Sequence, residues 1–306
     1  MADPFPLDDP DERLKRILQR VRRIELLTRG LIKENLGGAY HSRFKGQGIE
    51  FDDFREYQPG DDVRFLDWNV TARMNEPFVR KYVEERELNV LLLVDVSGSG
   101  DYGSVEDSKR ERMAEVAAVF ALSAAHNGDK VGLALFSNEV EHYLPPRKGH
   151  GQMLRLIRDI LNHAALQRGT DLAPALDLAL NRISHRALVV VVSDFLTPVA
   201  MWRKAMRSLA AKHDVVAVQV LDPAELELPR AGRVTLEDPE SGEQFVLNTS
   251  STRVREKYEE RLQGMLDEVS HELKKNGVER VTVRMDQDYA PALTAYFRSR
   301  RRRKRA

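Results

Sequence analysis

The chain has 306 residues, 42% of them hydrophobic, with 48 basic and 48 acidic side chains and no cysteine. That length supports one large domain or a domain with an appendage, and the missing cysteine excludes a disulfide framework, a thiolate metal site and a cysteine nucleophile. The formal neutrality hides a segregation: seven basic residues lie between Arg298 and Arg305, leaving 41 basic against 48 acidic residues in the rest.

The N-terminus, Met1-Ala2-Asp3-Pro4-Phe5-Pro6, is acidic and proline-rich and lacks the basic and apolar regions of a signal peptide. The longest apolar runs, at 90–94 and 187–192, fall far short of the ~20 residues that span a bilayer. The expectation is a cytoplasmic protein without a transmembrane segment. Leu14, Ile17, Leu18, Val21 and Ile24 recur at helical spacing, which predicts a helix over 11–34, stopped by Gly37-Gly38. Residues 39–88 are rich in aromatics and charges. Gln58-Pro59-Gly60-Asp61 reads as a type II turn, and alternation through Phe78, Arg80 and Tyr82 predicts a strand. We expect this block to form short strands and loops over an edge of the main sheet. Trp68, Phe65, Phe54 and Tyr57 should pack together, and Arg64 and Arg73 should pair with Asp61, Asp62 or Asp67.

From residue 89 strands and helices alternate. Strands are predicted at 89–95, 130–136, 187–193 and 214–221, with an edge strand near 139–144. Helices are predicted at 107–126, 150–163, 172–184 and 199–211. Such alternation implies α/β architecture, a doubly wound, mostly parallel sheet flanked by helices. Residues 222–249 read as an inserted hairpin turning at Asp238-Pro239-Glu240-Ser241-Gly242. A helix at 251–275, a strand from Val278 to Met285 and a short helix at 290–298 follow. The expected organisation is therefore an N-terminal helix and β extension over 1–88 packed on the main domain, the main domain over 89–297, and a disordered basic tail over 298–306. The tail offers counter-charge to nucleic acid, an anionic surface or an acidic partner.

The chemistry concentrates at Val90-Leu91-Leu92-Leu93-Val94-Asp95-Val96-Ser97-Gly98-Ser99. A buried parallel strand ends in a carboxylate, and hydroxyls follow at alternate positions. Open α/β sheets place their ligand beyond the carboxyl ends of the strands, so Asp95, Ser97 and Ser99 should meet there as hard oxygen donors suited to Mg²⁺ or Mn²⁺. Thr170, in Arg168-Gly169-Thr170-Asp171, precedes a helical pattern. A second apolar strand, Ala187 to Ser193, ends at Asp194. A strand with Asp-x-Ser-x-Ser, a loop threonine and a strand-end aspartate, in that order, resembles the three-part metal-ion-dependent adhesion site of von Willebrand factor A domains. The resemblance implies that Ser97, Ser99 and Thr170 bind the ion directly while Asp95 and Asp194 orient its waters. An Asp or Glu of another protein then completes the shell.

A second resemblance lies upstream. Glu50-Phe51, Arg55-x-Tyr57, Gly60-Asp61-Asp62-x-Arg64, Asp67-Trp68 and Thr71-Ala72-Arg73 resemble the signature of the bacterial and archaeal domain-of-unknown-function family fifty-eight, strongest over residues 35–200. Members carry a von Willebrand A-like domain, and their genes commonly accompany those of MoxR-type AAA+ ATPases. The resemblance implies a non-enzymatic adaptor or assembly factor whose partner is such an ATPase. Two other readings compete: nucleic-acid or anionic-surface binding through the tail, and a Mg²⁺-dependent hydrolase using the same cleft. The hydrolase reading is weakened by the absence of a histidine near Ser97 in sequence and of a Gly-x-Ser-x-Gly or phosphate-loop motif. Metal-dependent phosphatases need a second carboxylate where this chain has Ser97.

Overall fold

The computed structural model describes residues 15–20, 22, 50–58, 61–74, 76–83, 88–101, 107–166, 169–237 and 244–305. Two compact units are present, one comprising residues 1–36 with 88–306 and the other residues 37–87. Helical residues 15–20 (α1) belong to the larger unit, whereas the expected boundary at 88 grouped them with the β extension. Arg20 explains the grouping: it donates to Asp107 at 2.5 Å and to the buried Glu115 at 2.9 Å. The rest of the helix expected over 11–34 lies outside the described residues.

In the smaller unit, β1 (Glu50–Glu56) is followed by α2 (Trp68–Met74), which the sequence reading missed, and by β2 (Phe78–Val83), antiparallel to β1. The signature residues hold this unit together. Arg55 grips Asp61 with two bonds of 2.7 Å, and Arg64 pairs with Asp62 at 2.6 Å. Asp67 Oδ1 accepts the N–H groups of Asn69 and Val70 at the start of α2, and Thr71 Oγ1 accepts the Phe78 N–H at 3.0 Å. The expected aromatic cluster does not include Trp68, which is 72% exposed. It opens α2, a helix with no buried residue, and so has no core to enter. Phe54 and Tyr57 are half-buried; the Phe65 side chain and the centre of the turn at 59–60 lie outside the described residues.

The larger unit runs β3 (Asn89–Asp95), α3 (Lys109–His126), β4 (Lys130–Phe136), β5 (Val140–Arg147), α4 (His150–Asn162), α5 (Leu172–Arg182), β6 (Leu188–Ser193), α6 (Val199–Lys212), β7 (Asp214–Leu221), α7 (Pro223–Leu226), β8 (Arg233–Glu237), β9 (Gln244–Asn248), α8 (Thr252–Lys275), β10 (Glu279–Arg284) and α9 (Ala290–Arg305). Six strands form one sheet in the order β10-β7-β6-β3-β4-β5, all parallel except β5. β8 and β9 pair as the expected hairpin, its turn lying outside the described residues. The short α7 was not foreseen.

The central strands are aliphatic on both faces because helices cover both. Leu91, Leu93, Ala134, Phe136, Val189 and Val191 face α5, α6 and α8, where Trp202, Leu209, Val269 and Leu273 complete one core. On the other face α3 is buried almost throughout, and its Phe120 meets Tyr296 and Phe297 of α9 at ring-centroid distances of 5.7 and 5.6 Å. Each fully buried side chain of this size contributes about 1.5–3 kcal/mol. A Cβ on Gly132 of β4 would stand 2.8 Å from the Leu144 carbonyl and 2.9 Å from the Pro146 nitrogen of β5. Only glycine admits that approach.

The basic tail is not disordered from Arg298, as expected, but continues α9 to Arg305. Arginine and lysine are good helix formers, and Arg300 is drawn back onto the body. It pairs with Asp214 and donates to the Tyr296 hydroxyl at 2.6 Å.

Candidate metal centre

The strand order reverses between β3 and β6: β4 and β5 lie to one side, β7 and β10 to the other. The carboxyl ends of β3 and β6 therefore flank the crevice where open α/β sheets bind ligands. Asp95 ends β3 and Asp194 immediately follows β6.

Four of the five expected residues form one hydrogen-bonded chain. Asp95 Oδ1 accepts the Ser97 N–H at 3.0 Å, Ser97 Oγ lies 3.2 Å from Ser99 Oγ, and Ser99 Oγ donates to Asp194 Oδ2 at 3.2 Å. The second Asp95 oxygen accepts the Ser193 hydroxyl at 2.7 Å. Asp194 is aimed by its own turn: Oδ1 accepts the Leu196 N–H at 3.0 Å and its carbonyl accepts Gln219 Nε2 at 2.9 Å. The next residue, Phe195, holds a left-handed φ of 56°, costly for a non-glycine residue. Its fully buried ring, edge-on to Trp202 at 6.0 Å, keeps the turn in place.

Thr170 stands apart from that chain. Its loop leans on the β4–β5 turn, where the Asp171 N–H donates to the Ser137 carbonyl at 2.9 Å. Ser137 follows Phe136, the partner of Asp95 across the β3–β4 ladder, so the loop reaches the same edge of the sheet. Glu141 supports it, accepting His163 Nε2 at 2.6 Å and the Leu166 N–H at 3.0 Å. Arg110 joins the two loops by donating to the carbonyls of Val96 and His163. The Thr170 Oγ1 is buried and has no hydrogen-bond partner among the described residues.

Hard oxygens from two serines and two aspartates, with a buried threonine hydroxyl left unsatisfied on the same edge, fit a Mg²⁺-type ion. Ser97, Ser99 and Thr170 would hold it, and Asp95 and Asp194 would orient its waters. Burial and then the Asp194 charge raise the Asp95 pKa above the ordinary carboxylate range. Burial acts on Asp194 in the same direction, but the Lys109 ammonium, the Leu196 N–H and the Ser99 hydroxyl together outweigh it and hold that pKa low.

Sequence reasoning missed two members of the cluster. Lys109 Nζ donates to Asp194 Oδ2 at 2.8 Å and to Glu225 Oε1 at 2.7 Å. Burial alone would lower the lysine pKa; the two carboxylates reverse this and raise it. Burial dominates at Glu225, so its pKa is raised despite the ammonium. A signal for Glu225 existed: Val215 to Leu221 is a third apolar strand closing on an acid, Asp222, with Glu225 three residues on.

A mostly parallel sheet of this strand order, flanked by helices and with one antiparallel strand at its edge, defines a doubly wound α/β domain. The chain belongs to the family described as protein of unknown function DUF58, whose model matches residues 53–266. An uncharacterised protein of Mycobacterium tuberculosis is 33% identical over 301 residues, covering 97% of this chain and 92% of its own. Two solved structures overlap in part. The conserved hypothetical protein BatB of Bacteroides thetaiotaomicron aligns with a TM-score of 0.47 at 18% identity, over 70% of this chain and 99% of its own. A von Willebrand factor type A protein of Catenulispora acidiphila aligns with a TM-score of 0.34 at 17% identity, over 47% of this chain and 35% of its own. These overlaps are loose. No helix among the described residues is long and apolar enough to cross a membrane.

Proposed function

We propose that the chain is a divalent-metal-dependent protein-binding module. Mg²⁺, or Mn²⁺ in its place, is held by Ser97, Ser99 and Thr170, with Asp95 and Asp194 acting through coordinated water. A carboxylate from a partner protein completes the shell, and the partner is a MoxR-type AAA+ ATPase. The observation that carries this reading is the hydrogen-bonded chain Asp95–Ser97–Ser99–Asp194 at the point where the strand order reverses. An ion held largely by neutral hydroxyls stays electron-poor, so a partner acid adds both charge and geometry.

The same geometry favours binding over catalysis. A serine nucleophile needs a base within hydrogen-bond reach. Among the described residues, the ionisable groups joined to the serine chain are Asp95 and Asp194, which this reading commits to the waters of the ion, and, through Asp194, Lys109 with Glu225 behind it. Lys109 is held in its charged form by two carboxylates, the opposite of what a general base requires.

The test is capture of a MoxR-type ATPase from the same genome by the full chain. We expect capture in Mg²⁺, loss in EDTA and loss with Asp95→Ala or Ser97→Ala, folding being checked by thermal melting. Capture that ignores chelator and both substitutions refutes the metal-bridged contact.

A further inference from the structure

Lys109 stands at the first position of α3, where the helix dipole and the unpaired N–H groups repel a cation. Its side chain is nevertheless only 1% exposed. A buried ammonium persists only where partners compensate it, and here they come from two separate strand ends. Asp194 follows β6 and Glu225 lies in α7, just after β7. The lysine and Ser99 share one acceptor: Asp194 Oδ2 takes the ammonium at 2.8 Å and the Ser99 hydroxyl at 3.2 Å. An ion seated on Ser99, or a water it binds, must approach that same oxygen.

Resting on the metal reading above, we infer that Lys109 is a resident cation that competes with the divalent ion for Asp194, and that Glu225 is the partner to which the ammonium withdraws when the ion enters. The positive charge of Lys109 preorganises the carboxylates without metal and repels a second cation at close range. Glu225 moderates that repulsion, because a lysine bonded at 2.7 Å to its carboxylate retains one strong partner after giving up the other. Asp95, Asp194 and Glu225 bring three negative charges against the one of Lys109, so a divalent ion neutralises the set. Occupancy of the site is thus set by a contest between two cations and does not follow from the donor oxygens alone.

The inference predicts opposite effects from the two halves of one ion pair. Mn²⁺ binding to the full chain is measured by calorimetry and by electron paramagnetic resonance of the free ion. Lys109→Met should bind Mn²⁺ at least about tenfold more tightly than the parent, and Glu225→Gln about tenfold more weakly, because the ammonium then has only Asp194. The metal-free Lys109→Met protein should melt below the parent, and Mn²⁺ should raise its melting temperature more than it raises the parent's. A structural role alone would destabilise both variants without moving affinity in opposite directions. If Lys109→Met does not fold, Glu225→Gln decides, and equal or tighter binding overturns the inference. Equal affinities in the parent and Lys109→Met, both abolished by Asp95→Ala, overturn the inference while leaving the metal site standing. Absence of Mn²⁺ binding in the parent and in Lys109→Met overturns both.

Discussion

At the scale of single residues, Thr170 separates folding from function most cleanly. Its hydroxyl is buried and has no partner among the described residues, and such a group costs about 1–3 kcal/mol. Thr170→Val keeps the shape and removes the unsatisfied oxygen. We expect the variant to be as stable as the parent or about 1 kcal/mol more so, and to bind Mn²⁺ about tenfold more weakly. Thermal melting and calorimetry read the two effects separately, and unchanged affinity would remove Thr170 from the ligand set. Asp95, Ser97, Ser99 and Asp194 were legible because each follows an aliphatic strand whose end is conspicuous in sequence. Lys109 was not. A lysine next to Arg110 at a helix start reads as a solvated charge, and the two acids that draw it inward lie 85 and 116 residues away.

At the scale of elements, the start of α3 joins the site to the body. Ser108 and Glu111 form a reciprocal capping box one residue before and two after Lys109. Ser108→Ala should cost about 1 kcal/mol, measurable by denaturant titration, and should loosen Lys109 along with the helix. At the other end of the chain, α9 shows how tertiary context overrides charge pattern. A run of like charges predicts a solvated coil, but Arg300 packs with Tyr296 and Asp214 beneath it. Arg300→Ala should destabilise the protein by about 2 kcal/mol, less than a fully buried pair would lose. An unchanged melting temperature would mean that α9 is held by Phe297 and its neighbours alone. Most other elements were readable within a residue or two because period-2 and period-3.6 patterns were strong. The helices α2 and α7 escaped notice because seven and four residues carry too little periodicity to stand out.

For the whole molecule, acid sensitivity should come partly from His213, at the junction of α6 and β7. Its ring is 1% exposed, and Nδ1 accepts the Ala187 N–H at 3.3 Å. Burial, with Lys212 and Arg186 adding to it, lowers the pKa to about 4. The unfolded chain, titrating near the ordinary value of about 6.5, takes up a proton that the folded chain refuses. The histidine's contribution is therefore intact above that value and is lost as pH falls toward 4, by about 2.5 kcal/mol at pH ~4.5. His213→Gln should flatten this part of the stability–pH curve, followed by melting temperature between neutral pH and about 4.5.

The antiparallel strand β5 carries Pro145 and Pro146 on the outer margin of the sheet. Proline has no amide hydrogen to offer a newcomer, so this flank resists lengthening by a seventh ribbon. Two copies meeting along that side would find fewer backbone donors to pair with.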